Sequence, residues 1–322
     1  MSGRLDPREA LSTGGQMPVQ RDLPGGSRHG QGGGVPAVQN VRPFRFGTNG
    51  GYTESSRLGW ADHARRVEDL GFSTLLMPDH FLVGTMCTPR LAAAAMVTTT
   101  LRLGSYVYDN DFRNPLLLAR EAAEIDVLSG GRMELGIGAG WAKDEYDMVG
   151  MAFDPGPTRA ARYEEAVGLI RRLLNGETVT HEGAFYRLED CELGIEPIQH
   201  PIPLLLGGGG TRMTRFAAEQ ADSIGFLPRS MPGGGLDPAE FSLAAFTEKV
   251  TVLEDAVGRS GHAGPERGAL LFFVGRNAEE IPPAASGWTD PEILRHSPYA
   301  LIGETHQMIE SLLERRERWG LS

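Results

Sequence analysis

Strand-like apolar runs alternate with amphipathic helical stretches from Phe44 to the last residues, and no other feature of the chain constrains its fold as much. Strands are predicted at Phe44–Gly47, Thr74–Met77, Leu103–Tyr108, Met133–Ile137, Pro203–Leu206, Ser223–Leu227 and Ala269–Val274. Helices are predicted at about Ser56–Leu70, Pro89–Thr99, Pro115–Leu128, Thr158–Leu174, Thr211–Gln220, Ser242–Gly258 and Glu304–Trp319. In the first helix Trp60, Ala64, Val67 and Leu70 share one face, and Gly71 ends it. Strands joined by helices must run parallel, with the helices outside. Seven such units favour an α/β fold of the (β/α)8 TIM-type barrel class over an open doubly wound sheet. The eighth strand and helix are missing from this pattern, because the chain stops at Trp319-Gly320-Leu321-Ser322, where a strand should begin. Truncation is the expected reason; closure by a partner or by the N-terminal segment is the alternative.

Two segments fall outside the alternation. Residues 1–43 hold Gly14-Gly15, Gly25-Gly26 and Gly32-Gly33-Gly34 with Pro7, Pro18, Pro24 and Pro36 scattered between and few large apolar residues. Such a stretch cannot bury enough surface to offset its ordering entropy. It is expected to be a disordered extension to a barrel domain spanning 44–322, or the product of a mis-assigned start, since Met17 lies within it. The stretch of about 178–201, with His181-Glu182-Gly183-Ala184-Phe185-Tyr186, is predicted as a small β excursion over the barrel mouth.

The 31 basic against 42 acidic residues, a formal charge of -11, argue against a general nucleic-acid binder and against docking on an anionic membrane. No apolar run approaches the roughly 18 residues needed to span a bilayer, and no secretory signal pattern opens the chain. Cys87 and Cys191 have neither metal-type nor redox-type spacing, which fits a reduced cytoplasmic protein better than a disulfide. The histidines are dispersed, so no metal site is expected. No Gly-x-Ser-x-Gly elbow supports acyl transfer.

Barrel enzymes place their chemistry at the C-terminal ends of the strands. Those ends read Gly47-Thr48-Asn49-Gly50-Gly51, Pro78-Asp79-His80-Phe81, Tyr108-Asp109-Asn110-Asp111, Gly138-Ala139-Gly140-Trp141 and Gly207-Gly208-Gly209-Gly210-Thr211. His80 is the proton-transfer candidate, since imidazole suits that task near neutral pH; packing or capping is its plain alternative. Asp79 either caps the next turn or orients His80. Gly208, Gly209, Gly210 and Thr211 expose backbone N–H groups at a helix start, the geometry that binds phosphate, unless they form only a tight turn. Arg212 and Arg215 in the first turns oppose the helix dipole and call for an anion nearby. Gly138, Ala139 and Gly140 let a flat ring approach the backbone, or serve a simple strand–helix turn. Asp144 and Glu145 are predicted as a solvated helix start.

Taken together, Phe44-Arg45-Phe46-Gly47, Glu68-Asp69-Leu70-Gly71-Phe72, Pro78-Asp79-His80-Phe81, Asn114-Pro115, Asp126-Val127-Leu128-Ser129-Gly130-Gly131-Arg132 and Leu135-Gly136-Ile137-Gly138-Ala139-Gly140-Trp141 resemble the luciferase-like monooxygenase superfamily. Within it the chain is most similar to the F420-dependent oxidoreductases. The resemblance implies a barrel, often dimeric, with the cofactor ring across the strand ends, so a homodimer and a small-molecule substrate are expected. It implies that His80 is an active-site histidine, and that Asp79, Tyr106, Val107, Asp109, Gly138, Ala139 and Gly140 line the ring. A non-proline cis peptide is implied at about Tyr106–Val107, and a phosphate loop at 207–210 continuing into Thr211 and Arg212. Coenzyme F420 is the implied cofactor, with an FMN-dependent monooxygenase and a non-catalytic relative as alternatives. The sugar-phosphate dehydrogenase branch carries a tryptophan shortly after the histidine and an acid after the Gly-x-Gly; Gly84 and Trp141 stand there instead, which tells against a sugar phosphate.

Overall fold

The computed structural model describes residues 42–50, 56–81, 86–261, 263–281 and 289–322. The expected extension falls almost wholly outside these residues, as do Gly51 and Gly84. In chain order the strands are β1 (Gly47–Asn49), β2 (Thr74–Met77), β3 (Arg102–Ser105), β4 (Tyr108–Asp109), β5 (Met133–Gly138), β6 (Val179–Glu182), β7 (Arg187–Cys191), β8 (Leu204–Gly208), β9 (Ser223–Phe226), β10 (Glu266–Ala269), β11 (Phe273–Gly275) and β12 (Ala300–Ile302). The helices are α1 (Arg57–Asp69), α2 (Cys87–Ala95), α3 (Pro115–Ser129), α4 (Lys143–Met148), α5 (Gly156–Leu174), α6 (Thr211–Gln220), α7 (Leu243–Ser260), α8 (Pro291–Arg295) and α9 (Thr305–Trp319).

The main sheet runs β1-β2-β3-β5-β8-β9-β10, every pair parallel, with β4 adding to the end of β5. It is the curved sheet of a barrel with seven positions filled. The strands bury Leu75, Met77, Leu103, Met133, Leu135, Ile137, Leu204, Leu206, Ile224 and Phe226. Helices cover them with small and apolar faces, such as Leu118, Ala119, Ala122 and Ala123 of α3. Leu321 bridges Arg267 in parallel, and Ser322 N–H donates to the Arg267 carbonyl at 3.1 Å, beside β10. No described helix is long and apolar enough to cross a membrane.

Several boundaries differ from the sequence expectation, for identifiable reasons. The first strand is Gly47–Asn49, because Phe44 stacks under the Arg316 guanidinium at 3.3 Å and Arg45 turns into the barrel floor. The predicted strand Leu103–Tyr108 is broken in two at the cis peptide Tyr106–Val107. The apolar run Ala269–Val274 is not one strand. The barrel strand is the polar Glu266–Ala269, while Phe273–Gly275 leaves the barrel and pairs with β12. The excursion is an antiparallel hairpin, β6–β7. Glu165 of α5 clasps its tip, accepting from the N–H groups of Ala184, Phe185 and Tyr186 and bonding His181 at 3.0 Å. Only the Tyr186 hydroxyl reaches the strand-end side, where Asn110 Nδ2 donates to it at 3.0 Å.

The barrel floor is polar and fully tied. Arg45 donates to Glu266 on β10 at 3.0 Å and to Thr74 on β2 at 3.1 Å, and pairs with Glu134 on β5. Arg102 donates to the same Glu134 at 2.5 Å. One guanidinium thus joins the strands at both edges of the sheet. Nearby, Arg132 is buried and donates to the carbonyls of Ala95, Thr98, Leu101 and Ser129, closing the C-terminal end of α2. Glu68 accepts from the N–H groups of Thr99, Thr100 and Leu101. Burial works against its charge, but those N–H bonds prevail and draw its carboxyl down to about 2.

Candidate active site

The strand ends face the loops that carry the candidate residues. His80 follows β2 directly, and its Nδ1–H donates to Glu145 Oε2 at 2.9 Å. Glu145 is buried and its other oxygen accepts from the Phe81 N–H at 2.7 Å. It is therefore not the solvated helix start that its neighbour Asp144 suggested; α4 returns it to the strand ends one turn after the Gly138–Gly140 bend. A carboxylate on Nδ1 fixes the neutral ring as the Nδ1–H tautomer, leaving Nε2 as the acceptor. No described residue bonds Nε2, and 27 % of the His80 side chain is exposed, so this nitrogen is available to a ligand. The Trp141 indole stands edge-on to the His80 ring, centroids 5.4 Å apart.

Asp79 neither caps a helix nor orients His80. It is buried, paired through both oxygens with Arg113, and it accepts from the Asp109 N–H at 3.1 Å. Its role is to fix the chain after β4. Asp109 accepts from the Asp111 N–H at 2.9 Å and from the Tyr146 hydroxyl at 3.2 Å. Burial pushes its carboxyl up to about 7, against the Asp111 N–H bond that favours its charge. Glu145 and Tyr146, neighbours on α4, thus hold the two titratable groups, His80 and Asp109.

Glycines end β5 and stand late in β8, on either side of Val107. A Cβ on Gly138 would come within 2.6 Å of Val107 Cγ2, and one on Gly207 within 3.1 Å of Val107 Cγ1. Val107 therefore fills the space between two strand ends, and only glycine fits beside it. Gly140 has φ +74°, and a Cβ there would strike the Tyr146 hydroxyl and the Asp109 carboxylate. The Ala139 carbonyl accepts from Arg159 Nε at 3.3 Å. Tyr106 is not part of this group. Its hydroxyl lies 2.4 Å from where a Gly225 Cβ would be, inside the barrel, and has no hydrogen-bond partner.

The glycine run ends β8 and caps α6 with Gly210, without a side-chain cap, so the first N–H groups of the helix are left for a ligand. A Cβ on Gly209 would lie 2.5 Å from the Arg229 backbone nitrogen. A cavity of about 120 Å³ opens here, lined by Gly209, Thr211, Thr214, Arg229 and Lys249 among others. Arg212 does not face it. Its guanidinium is bonded in bidentate fashion to Glu164 of α5, both contacts at 2.7 Å, so the anion its position called for is a side chain. Among the described residues no cluster of possible metal ligands occurs, and Cys87 and Cys191 are both free thiols.

The family model for luciferase-like monooxygenases matches residues 42–319. The chain belongs to this family. An F420-dependent glucose-6-phosphate dehydrogenase from Intrasporangium calvum is 38% identical over 183 residues, covering 53% of this chain and 54% of that one. A 4-hydroxyprotoasukamycin monooxygenase from Streptomyces nodosus subsp. asukaensis is 29% identical over 272 residues, covering 79% and 70%. The first five curated relatives of this kind are matched over 53% to 67% of their length. In fold, the chain superposes on the coenzyme F420 dependent tetrahydromethanopterin reductase of Methanopyrus kandleri with a TM-score of 0.69 at 19% identity, covering 86% of this chain and 90% of that one. The family's barrel accounts for the sheet.

Proposed function

We propose that this family member is an oxidoreductase that moves a hydride between coenzyme F420 and a small organic substrate, with His80 handling the accompanying proton. The observation that carries the reading is the imidazole held by buried Glu145, with Nε2 open, together with the glycines that flank Val107. The F420-dependent relatives, led by one 38% identical, support the choice of cofactor.

The residues present fit such a group. Val107, Gly138 and Gly207 offer a flat seat that any Cβ would spoil, and the uncapped start of α6 offers N–H donors for a phosphate. When bound, coenzyme F420 supplies a hydride donor or acceptor at C5 of its deazaflavin ring. The chain's own tasks are to seat the ring, hold the phosphate and manage one proton. In the reducing direction a substrate double bond gains a hydride at carbon and a proton, from His80 Nε2, at the adjoining atom. Glu145 holds the imidazole in place through Nδ1.

The monooxygenase relative, which aligns over more of the chain, favours a second reading, an FMN-dependent monooxygenase served by a partner reductase. Titrating F420 and FMN separately into the purified protein and following absorbance decides between them. Saturable F420 binding with weak FMN binding is expected; tight FMN binding without F420 binding overturns the proposal. Two free thiols support a reducing, cytoplasmic setting. A homodimer is proposed on the family resemblance, and light scattering of the eluting protein tests it.

A further inference from the structure

We infer that the substrate is an uncharged molecule with an apolar face, selected by Trp141, and that phosphate- or carboxylate-bearing substrates are excluded. The inference rests on the reading that F420 and substrate meet at His80. The Trp141 indole stands edge-on beside the His80 ring, at 5.4 Å and 82° between planes, where a substrate meeting His80 would touch it. Among the described residues two more add apolar surface at the strand ends: Val107 lies between the two glycines, and Leu227 Cδ1 lies 3.6 Å from the Gly207 Cβ position. Burying an anion against such a surface is unfavourable unless a cation meets it.

Most cations of the strand-end loops, and of the helix turns they lead into, have carboxylate or carbonyl partners. Arg113 is paired with Asp79. Arg162 donates to Asp111 at 2.7 Å and pairs with Asp154. Arg159 donates to the carbonyls of Asp154 and Ala139 at 2.5 and 3.3 Å. Lys143 reaches Asp147 at 2.5 Å, and Lys249 is paired with Glu240. Arg229 joins Asp237 at 3.3 Å and Glu240 at 3.1 Å. Drawing Arg113 or Arg162 towards a substrate would strand Asp79 or Asp111, whose side chains are only 2% and 0% exposed. Arg57 and Arg215 stand on the exposed faces of α1 and α6. Residues 51–55, 82–85 and 282–288 include no lysine or arginine. Trp141, which stands against the His80 ring, is thus the specificity-determining residue.

The test is calorimetric titration of the F420-loaded full chain with neutral probes (cyclohex-2-enone, menadione, benzaldehyde) and anionic ones (glucose 6-phosphate, pyruvate). At least one neutral probe should bind about 10-fold tighter than either anion. Trp141→Phe should keep that order and Trp141→Glu should abolish it. With reduced F420, cyclohex-2-enone should gain a hydride at its β-carbon and a proton at its α-carbon, the two electrons coming from the cofactor. The inference fails if no neutral probe outbinds the anions, or if Trp141→Glu leaves the order unchanged. It also fails if glucose 6-phosphate binds through Arg229, shown by its loss in Arg229→Ala. Failure of F420 itself to bind would sink the cofactor reading instead; the same titrations on the cofactor-free chain still rank neutral against anionic probes.

Discussion

The two ends of the barrel treat charge in opposite ways. At the floor, carboxylates are bound by donors: Glu134 by Arg45 and Arg102, Glu68 by three backbone N–H groups that draw it down to about 2. At the strand ends, burial pushes Asp109 up to about 7, and His80 keeps one nitrogen free. The floor commits its donors and acceptors to joining strands. The rim leaves open an imidazole nitrogen, the glycines beside Val107 and the first N–H groups of α6. The difference separates residues that hold the barrel shut from those that act on a ligand. It also shows that motif residues such as Glu68 and Arg132 belong to the first group.

The comparison can be broken first at the rim. Gly209→Glu places a side chain against the Arg229 and Pro228 backbone and a negative charge at the start of α6. F420 affinity should fall by about 100-fold or more, roughly 3 kcal/mol; unchanged affinity in an absorbance titration would remove the phosphate loop from the site. Breaking the floor should do the reverse. Arg132→Ala strips partners from four buried carbonyls and should cost about 3 kcal/mol in urea unfolding, with F420 affinity of the folded protein unaltered. A large drop in affinity at preserved stability would contradict the division.

Glu145→Gln probes the link between helix and histidine. The introduced side-chain amide must donate to Nδ1, which inverts the imidazole tautomer and leaves Nε2 protonated. Turnover should fall on the order of 10-fold, well below the 10²–10⁴ expected for losing the histidine. Nitrogen NMR of the histidine reports the tautomer; an unaltered tautomer with normal turnover would make the contact incidental.

The two carboxyls give opposite pH signatures. Asp109 has a folded pKa above its ordinary 3.8, so the native state binds more protons between about 4 and 7. Its contribution to stability is full below about pH 4 and is lost as pH rises through about 7. Asp109→Asn should flatten that decline, read from unfolding at about pH 5 and pH 8. Glu68 is the mirror case: its folded pKa lies below the ordinary 4.5, so its contribution holds above about 4.5 and is lost as pH falls through about 2. The smallest effect is expected from removing residues 1–41, since the Arg45 ties and the Arg316–Phe44 stack begin after them. A change in unfolding midpoint or F420 affinity would give that segment a structural role.

Local patterns made much of this fold legible. Thr74–Met77 and Thr211–Gln220 lie where periodicity put them, because an apolar run between breakers and a helix opened by glycines are local signals. The seventh strand was hidden for the opposite reason. Glu266 and Arg267 are polar, and distant partners, Arg45 for the one and Glu254 and the Trp319 carbonyl for the other, satisfy them in the strand. Nothing local distinguishes a committed charge from a solvated one. Glu145 is buried because His80 lies 65 positions earlier, and Arg212 is engaged because Glu164 lies 48 earlier. The usable signal for Glu145 was its place one helical turn beyond the Gly138–Gly140 bend, which returns it to the strand ends.

The central claim is that His80 moves a proton while the cofactor is held by other residues. It is tested most directly by measuring F420 affinity and the rate of F420-linked turnover for His80→Asn beside the unaltered chain. Asparagine keeps much of the shape without the titration. The account predicts F420 binding within about 3-fold and turnover lower by about 10²–10⁴-fold. Unchanged turnover, or loss of F420 binding with the substitution, would contradict it.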